Sequence, residues 1–428
     1  MKRAVVVGAG LAGLAAAVRL AKGRCHVTLV ERLPVPGGRV RALRPHGREA
    51  IDFGQHLMLG CYRHTHEFAR TLGTVHLLQQ VRGETPFILG PHDIHPYRVL
   101  PLPSPLHALG GVFGLTHLAF LDRLALGRAG VAAKLDLRLY PLFMDQITAF
   151  DWLRKHGQSF ESIAGFWEPL TIATLNLPPR EASARLLATV LDQAFFAGPK
   201  DSVPVLPKTT LHDVFVGPSL KEVERLGGEV LLGEKVVSIE DHGQRVLTSR
   251  GRRLEADFTI LAVPPWDLRN TAQGLFGLEQ TVLNAEALGS SPIVTMVLWF
   301  ERAFLDYPMA CILHSPIQWL FVAGPRVSAV VSHATGLMEM GTKGLVSLCE
   351  AEVRRLFPKA PDLVSSLAIK AHKATFRGRP GQHGLRPGPK TSYKNLYLAG
   401  DWTGTGLPAT IEGAVKSGLL AASAALEG

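Results

Sequence analysis

The feature that most constrains this chain lies at its start. Residues 4–7, AVVV, run into the glycine turn GAGLAG (8–13), a small-residue helix over 11–22, a second apolar stretch HVTLV (26–30) and then Glu31. Strand, turn, helix, strand and acid in that order predict a βαβ unit of the Rossmann type, built to hold a dinucleotide. Gly8 permits the tight turn, Gly10 lets the backbone approach a pyrophosphate, and Gly13 lets helix and strand pack closely. Amides at the helix start then face the phosphates. Glu31 stands 18 residues after Gly13, where a carboxylate accepts both ribose hydroxyl protons and repels a 2′-phosphate, so NADP is disfavoured. FAD and NAD both stay open. The opening MKRAVVV imitates a cleavable leader, but a glycine turn splits the apolar stretch and a second strand follows at a fitting distance, which marks folded structure.

Further along, PVPGGRV (34–40) is a loop by its prolines and glycines, and its Gly37, Gly38 and Arg39 bring amides and a guanidinium toward the same phosphates. A second α/β-like stretch comes mid-chain: helix PSLKEVERLGG, strand EVLLGEKVVSIE, hairpin RVLTSRGRRLEADF and the buried strand TILAVPPW. Near the end, NLYLAGDW places Gly400 and Asp401 after a strand, ahead of a small-residue helix near 409–426. Asp401 is suited to a ribityl hydroxyl. Between these stretches the texture changes: 63–204 is rich in leucine and aromatics, and 286–385 holds apolar strands and the amphipathic GLVSLCEAEVRRLF. The α/β reading is therefore a discontinuous nucleotide-binding domain, 1–62, 205–285 and 386–428, with a second apolar domain inserted as 63–204 and 286–385.

Composition removes other classes. A net charge of +10 without any run of five like charges argues against nucleic acid, leaving cofactor phosphates or an anionic membrane as sharper uses of the excess. Cys25, Cys61, Cys311 and Cys349 show no metal-ligand or CxxC spacing, so reduced, mostly buried thiols are expected and no metal site. Residues 99–121 hold no Asp, Glu, Lys or Arg over 23 positions, a bilayer-spanning length. Pro101, Pro103, Pro105, His107 and His117 interrupt it, so a buried or membrane-resting helix is expected instead.

Taken together, GAGLAG with its terminal acid, GGR, the mid-chain strand before KVVSIE and AGDWTGTGLPATIEGAVKSG (399–418) resemble the flavin amine oxidase and phytoene desaturase superfamily. Within it, DFGQHLMLGCYR (52–63), WEPLTIATLNLPPREASA (167–184) and ILAVPPW (260–266) are similar to the hydroxysqualene dehydroxylases, squalene-associated FAD enzymes of hopanoid biosynthesis. The resemblance implies an FAD-binding domain of the amine oxidase-like GR2 type with an inserted α+β substrate domain. It implies FAD contacts at Gly8, Gly10, Gly13, Glu31, Arg32, Gly38, Arg39, Val236, Gly400, Asp401, Thr410 and Ile411, with Gly54, Gln55 and His56 beside the flavin. The family pattern has Asn where this chain has Phe53 and Asp where it has Gly404, which leaves the proton donor and the substrate open.

The implied reaction replaces an allylic hydroxyl by hydrogen. Water leaves, and reduced flavin supplies hydride. His56 and Tyr62 are the candidate proton donors, with Glu168 third. A C30 isoprenoid binds mostly by burial, which demands an oily tunnel; Phe195, Phe196, Trp299, Phe300, Trp319 and Phe321 are its candidate walls. Such a substrate partitions into lipid, so a cytoplasmic enzyme working at the inner membrane surface is expected. Residues 99–138, with Arg123, Arg128, Lys134 and Arg138, are the candidate contact. Two alternatives remain: a desaturase or amine oxidase of the same superfamily, and a non-catalytic prenyl-lipid carrier of the GDP-dissociation-inhibitor type. The intact phosphate loop, Glu31 and Asp401 weigh against the carrier.

Overall fold

In the computed structural model, which describes residues 1–81, 83–100, 102–104, 106–195 and 198–428, the opening apolar run becomes the strand Arg3–Val7, at the centre of a five-stranded parallel sheet. Its neighbours are His26–Glu31, then Glu229–Leu232 on one side, and Phe258–Leu261, then Leu396–Leu398 on the other. The strands are short continuous apolar runs because both faces are covered. Ala4 and Val6 pack under the helices Leu11–Lys22 and Ile411–Glu427, whereas Val5 and Val7 meet a second cluster with Leu268, Leu278 and Trp402. Glycine is required where turn and helix pass the sheet. Gly8 has φ +105°, and a Cβ on Gly13 would lie 1.9 Å from the Gly8 carbonyl oxygen.

A seven-stranded sheet forms the other body. Its order is Leu363–Thr375, Ser291–Phe300, Arg326–Ser332, Trp319–Ala323, Met309–Ile312, Glu84–Gly90 and Asp93–Arg98. Alternation along Ser291–Phe300 sorts its residues. Val294, Met296, Leu298 and Phe300 join the core under the helix Thr342–Leu356. Ile293 and Thr295 face the opposite way, toward the large cavity. A helical layer that includes Phe120–Leu139, Glu168–Leu175 and Ala184–Phe195 builds a further core around Trp152 and Trp167.

The uncharged stretch 99–121 does not form one helix. It breaks into a 3₁₀ turn, Leu106–Ala108, the short helix Leu109–Gly114 and the first residues of Phe120–Leu139. Gly110, Gly111 and Gly114 disfavour a long helix here and let it pass close to its neighbours; Pro101 and Pro105 lie outside the described residues. Among the described residues, no helix is long and apolar enough to cross a membrane. The four cysteines are free and buried.

Candidate cofactor and active site

At the C-terminal edge of the parallel sheet, the loops after Arg3–Val7 and Leu396–Leu398 open into one cavity of about 700 Å³. Gly8 and Gly10 line it, and a Cβ on Gly10 would meet nothing within 4 Å, so its backbone is open to a ligand. Gly13 does not line the cavity; it sits one turn behind, in the helix–strand contact. Glu31 is buried with its carboxylate fixed by two amides, accepting from Ala9 N at 2.8 Å and Leu33 N at 2.9 Å. Arg32 also lines this pole and pairs with Asp267 at 2.8 Å. Val236 contributes to the same wall.

The two distant motifs meet at Arg39 and Asp401. The guanidinium donates two parallel bonds to the carboxylate, at 2.8 and 2.7 Å, and a third to the Ala374 carbonyl at 2.9 Å. Burial opposes the Arg39 charge, but the Asp401 carboxylate outweighs it and holds the group above its ordinary value. Gly38, Gly400, Thr410 and Ile411 line the same region. Thr410 caps the last helix, its hydroxyl accepting from Gly413 N at 3.0 Å, and Tyr62 stands beside it.

Beyond this junction the cavity turns apolar. Gly54, Gln55 and His56 line its bend, and Nδ1 of His56 is buried without a partner. Burial, with the Arg39 charge in support, pushes His56 down to about 4, so the ring is neutral at neutral pH. Burial raises the Tyr62 phenol. The floor is one face of the seven-stranded sheet: Ile293, Thr295, Val330, Ser332, Trp319, Phe321, Met309 and Phe87. Phe166, Leu170, Val190 and Phe195 close it from the helical side. The carboxylates among the lining residues are Glu31, Glu234, Asp267 and Asp401, all at the nucleotide end.

Several expectations change. Phe300 faces the core under Thr342–Leu356 because its parity on the strand is opposite to that of Thr295. Trp299 shares Thr295's parity but lies further along, packed with Ile51 and donating from its indole to Glu49 at 3.1 Å. Neither lines the cavity, nor does Glu168. Phe196 lies outside the described residues. Gly404 is also away from the cavity: a Cβ there would sit 3.1 Å from the Arg386 carbonyl oxygen. Phe53 does line it, with the Arg41 guanidinium 3.5 Å from its ring centroid.

Sequence reasoning missed three supports. Arg386 is buried and donates to the carbonyls of Asp401, Trp402 and Thr403, holding the loop that carries Asp401. Glu412 accepts from His64 N, His64 Nδ1, Thr65 N and Thr65 Oγ1 at 2.7–3.0 Å, tying the last helix to the start of Arg63–Thr71. Asn176 takes a left-handed turn and links Ser291, Thr375 and His333 around the cavity edge. For Asn176 the LNLPP run was the available signal; for Arg386 there was none.

Comparison with known proteins follows the same outline. A family model described as flavin containing amine oxidoreductase matches residues 11–426. A hydroxysqualene dehydroxylase from Rhodopseudomonas palustris is 32% identical, over 98% of this chain and 97% of that protein. One from Sinorhizobium fredii is 30% identical, over 99% and 98%. A 15-cis-phytoene desaturase from Synechococcus elongatus is 23% identical, over 99% and 95%. Among solved structures, an oxidoreductase from Methanosarcina mazei superposes with a TM-score of 0.75 at 16% identity, covering all of both chains. Cyclohexylamine oxidase from Brevibacterium oxydans gives 0.72 at 18% identity, covering 100% and 99%.

Proposed function

Because this chain belongs to the flavin-containing amine oxidoreductase family, we propose that it converts hydroxysqualene to squalene by reductive dehydroxylation, within squalene and hopanoid biosynthesis. It is an FAD-dependent oxidoreductase with an α/β flavin-binding fold. The residues present fit that cofactor: an open glycine cradle at Gly8 and Gly10, a fixed carboxylate at Glu31, and a charged pair at Arg39 and Asp401 where polar groups of a flavin nucleotide need partners. In this reading Arg32, Gly38, Gly54, Gln55, Val236, Gly400, Thr410 and Ile411 complete the holding surface, with Gly13 supporting it from the helix–strand contact behind. Segments 1–62, 205–285 and 386–428 hold the cofactor, while 63–204 and 286–385 shape the substrate chamber.

The overall change is R–OH plus a proton and a hydride giving R–H and water. When bound and reduced, FAD supplies the hydride. The chain's own residues do the rest. Exclusion of water by the aromatic and aliphatic walls protects an allylic cation from capture. Faces of Phe87, Phe166, Trp319 and Phe321 stabilise developing positive charge without a nucleophile to trap it. His56, neutral and with Nδ1 unpaired, and Tyr62 are the groups proposed to carry a proton to the departing hydroxyl. A neutral imidazole serves here as a relay, taking up a proton as it passes one on.

The observation that carries the proposal is the apolar arm of the cavity: its floor is mostly aliphatic and aromatic, with the Thr295 and Ser332 hydroxyls and the Trp319 indole N–H as neutral polar groups, and the carboxylates among the described lining residues are all at the other end. A cationic amine finds no counter-charge there, whereas a long neutral isoprenoid alcohol finds burial and a few hydrogen-bond partners. The test is anaerobic incubation of the purified flavoprotein with hydroxysqualene and a chemical reductant. Squalene formation is expected. Unchanged alcohol, together with consumption of squalene or a carotenoid precursor under oxidising conditions, would assign a desaturase instead.

A further inference from the structure

The helix Phe120–Leu139 is built inside out. Its inward side carries Leu126, Ala129 and Ala133, mostly small residues that let it approach Ala184–Phe195 closely. Its larger apolar side chains point to solvent: Leu121, Leu124, Val131, Leu135 and Leu139 are all exposed, and Leu142 continues the line in the next helix, Pro141–Gln146. Leu121 and Leu142 are 76% and 77% exposed, values that a helix folding only against its own core has no reason to produce. Spacings of three and four residues put these positions along one side of the rod. The exposed charges on that side are Arg128, Lys134 and Arg138, all cationic. The helix's two acids, Asp122 and Asp136, are half-buried, and Asp136 is occupied by Trp152 Nε1 and His156 Nε2 at 3.0 and 2.8 Å.

We propose that this face docks on an anionic lipid bilayer. A ridge of leucines set among cations matches both layers of such a surface, acyl chains for the leucines and headgroup phosphates for the cations. Cations at the rim already lie over aromatic rings: Lys155 Nζ is 4.8 Å from the Phe143 centroid and the Arg123 guanidinium 5.8 Å from that of Phe120. Such pairs keep an apolar body and a charged tip together at an interface. The ridge also adjoins the oily end of the cavity. The helix Leu109–Gly114, which packs on Phe120–Leu139, lies so close to Tyr97 that a Cβ on Gly111 would fall 2.3 Å from the ring, and Tyr97 lines the cavity. Compared with the sequence expectation of 99–138, the surface moves toward the C-terminus, to 120–143.

The experiment is co-sedimentation of the full-length holoenzyme with vesicles of mixed phosphatidylglycerol and phosphatidylcholine, and with vesicles of phosphatidylcholine alone. Wild type is expected in the pellet with the anionic vesicles. Leu121→Asp with Leu142→Asp should lower the partition coefficient at least tenfold. Arg128→Glu with Arg138→Glu should weaken anionic binding by roughly fivefold or more per cation and erase the preference for phosphatidylglycerol. Retained flavin absorbance and unchanged turnover of detergent-dispersed substrate show that each variant is folded. Three results would overturn the proposal: wild type left in the supernatant, equal pelleting of the leucine variant, or light scattering that reveals a wild-type dimer which the leucine variant disperses while vesicle binding is absent. Pelleting does not depend on which isoprenoid reaction the enzyme runs, so this test and the squalene assay fail independently.

Discussion

Arg39 and Asp401 show what a single contact can carry. They are 362 positions apart, and each was recognisable alone, Arg39 from the diglycine before it and Asp401 from its place after a strand. Their pairing was not, because no local period reports a contact across the whole chain. Asp401→Ala leaves the guanidinium with only the Ala374 carbonyl as partner, and because the Arg39 side chain is 37% exposed, solvent screening brings the loss below that of a fully buried pair, to about 1–3 kcal/mol. The purified variant should therefore lose most of its flavin, read as the ratio of visible to ultraviolet absorbance, while Asp401→Asn should retain an intermediate amount. Full flavin content in the alanine variant would remove the pair from the site. Asp52 offers a second prediction, of opposite electrostatic sense. Burial raises its carboxyl to about 7, against the bond it accepts from Leu211 N at 2.8 Å. A raised folded-state value means that the native protein holds a proton the unfolded chain has released, so this contribution is full below the unfolded value and is lost as pH rises to about 7. Asp52→Asn keeps the acceptor and removes the charge. Its melting temperature should match wild type near pH 4 and exceed it above pH 7, by an equivalent of about 2–4 kcal/mol; a difference independent of pH would contradict this. Nothing in DFGQH marks Asp52 as half-buried, since its surroundings come in part from the 211–213 turn, far away in sequence.

At the level of helices and strands, the elements were more legible than the sides they present. The alternation in SPIVTMVLWF declares a strand with two apolar faces, but only docking of Thr342–Leu356 decides which is core. Phe300 was misplaced as a tunnel wall for that reason, and Trp299 because it lies beyond the cavity on the cavity-side parity, while Trp319 and Phe321 line the cavity. The two faces predict different phenotypes. Phe300→Ala should cost about 3–5 kcal/mol of stability, seen as a lower denaturation midpoint. Phe321→Ala, at the cavity floor, should cost less stability and instead raise KM for the isoprenoid. Equal destabilisation by both would mean that the floor is plain core. Glu412 makes a similar point about helix joints. Its carboxylate receives four donors from the start of Arg63–Thr71. Glu412→Gln turns an amide NH₂ toward groups that also donate, and should lower stability by about 2–3 kcal/mol, since bonds to charged acceptors are the strong ones. A spectrally shifted flavin is expected with it, because Tyr62 and Thr410 adjoin this joint. The sequence displayed Glu412 within ATIEGAVKSG but gave no partner for it.

For the whole molecule, the legible part was convergence: a start motif and an end motif that make sense only as neighbours, and whose strands flank Phe258–Leu261 in one sheet. Less legible was the shape of the chamber, since a cavity floor takes one side chain from each of many strands and no segment contains it. That collective origin sets the last prediction. If binding comes from the apolar arm as a whole, affinity should accumulate along the substrate rather than reside at the reacting carbon. Burial contributes ~0.8 kcal/mol per CH₂-sized group, so a C15 allylic alcohol forfeits up to about 12 kcal/mol of gross burial relative to a C30 one. Part of that returns, because a shorter chain has less conformational freedom to lose on binding. A fall in kcat/KM of at least roughly a thousandfold for the C15 alcohol is the net expectation, equivalent to about 4 kcal/mol of transition-state binding. The loss should be graded through C20 and C25 alcohols, one isoprene unit at a time. A flat series would mean that only the region around His56 and Thr295 grips the substrate, and that the oily floor beyond it serves packing alone.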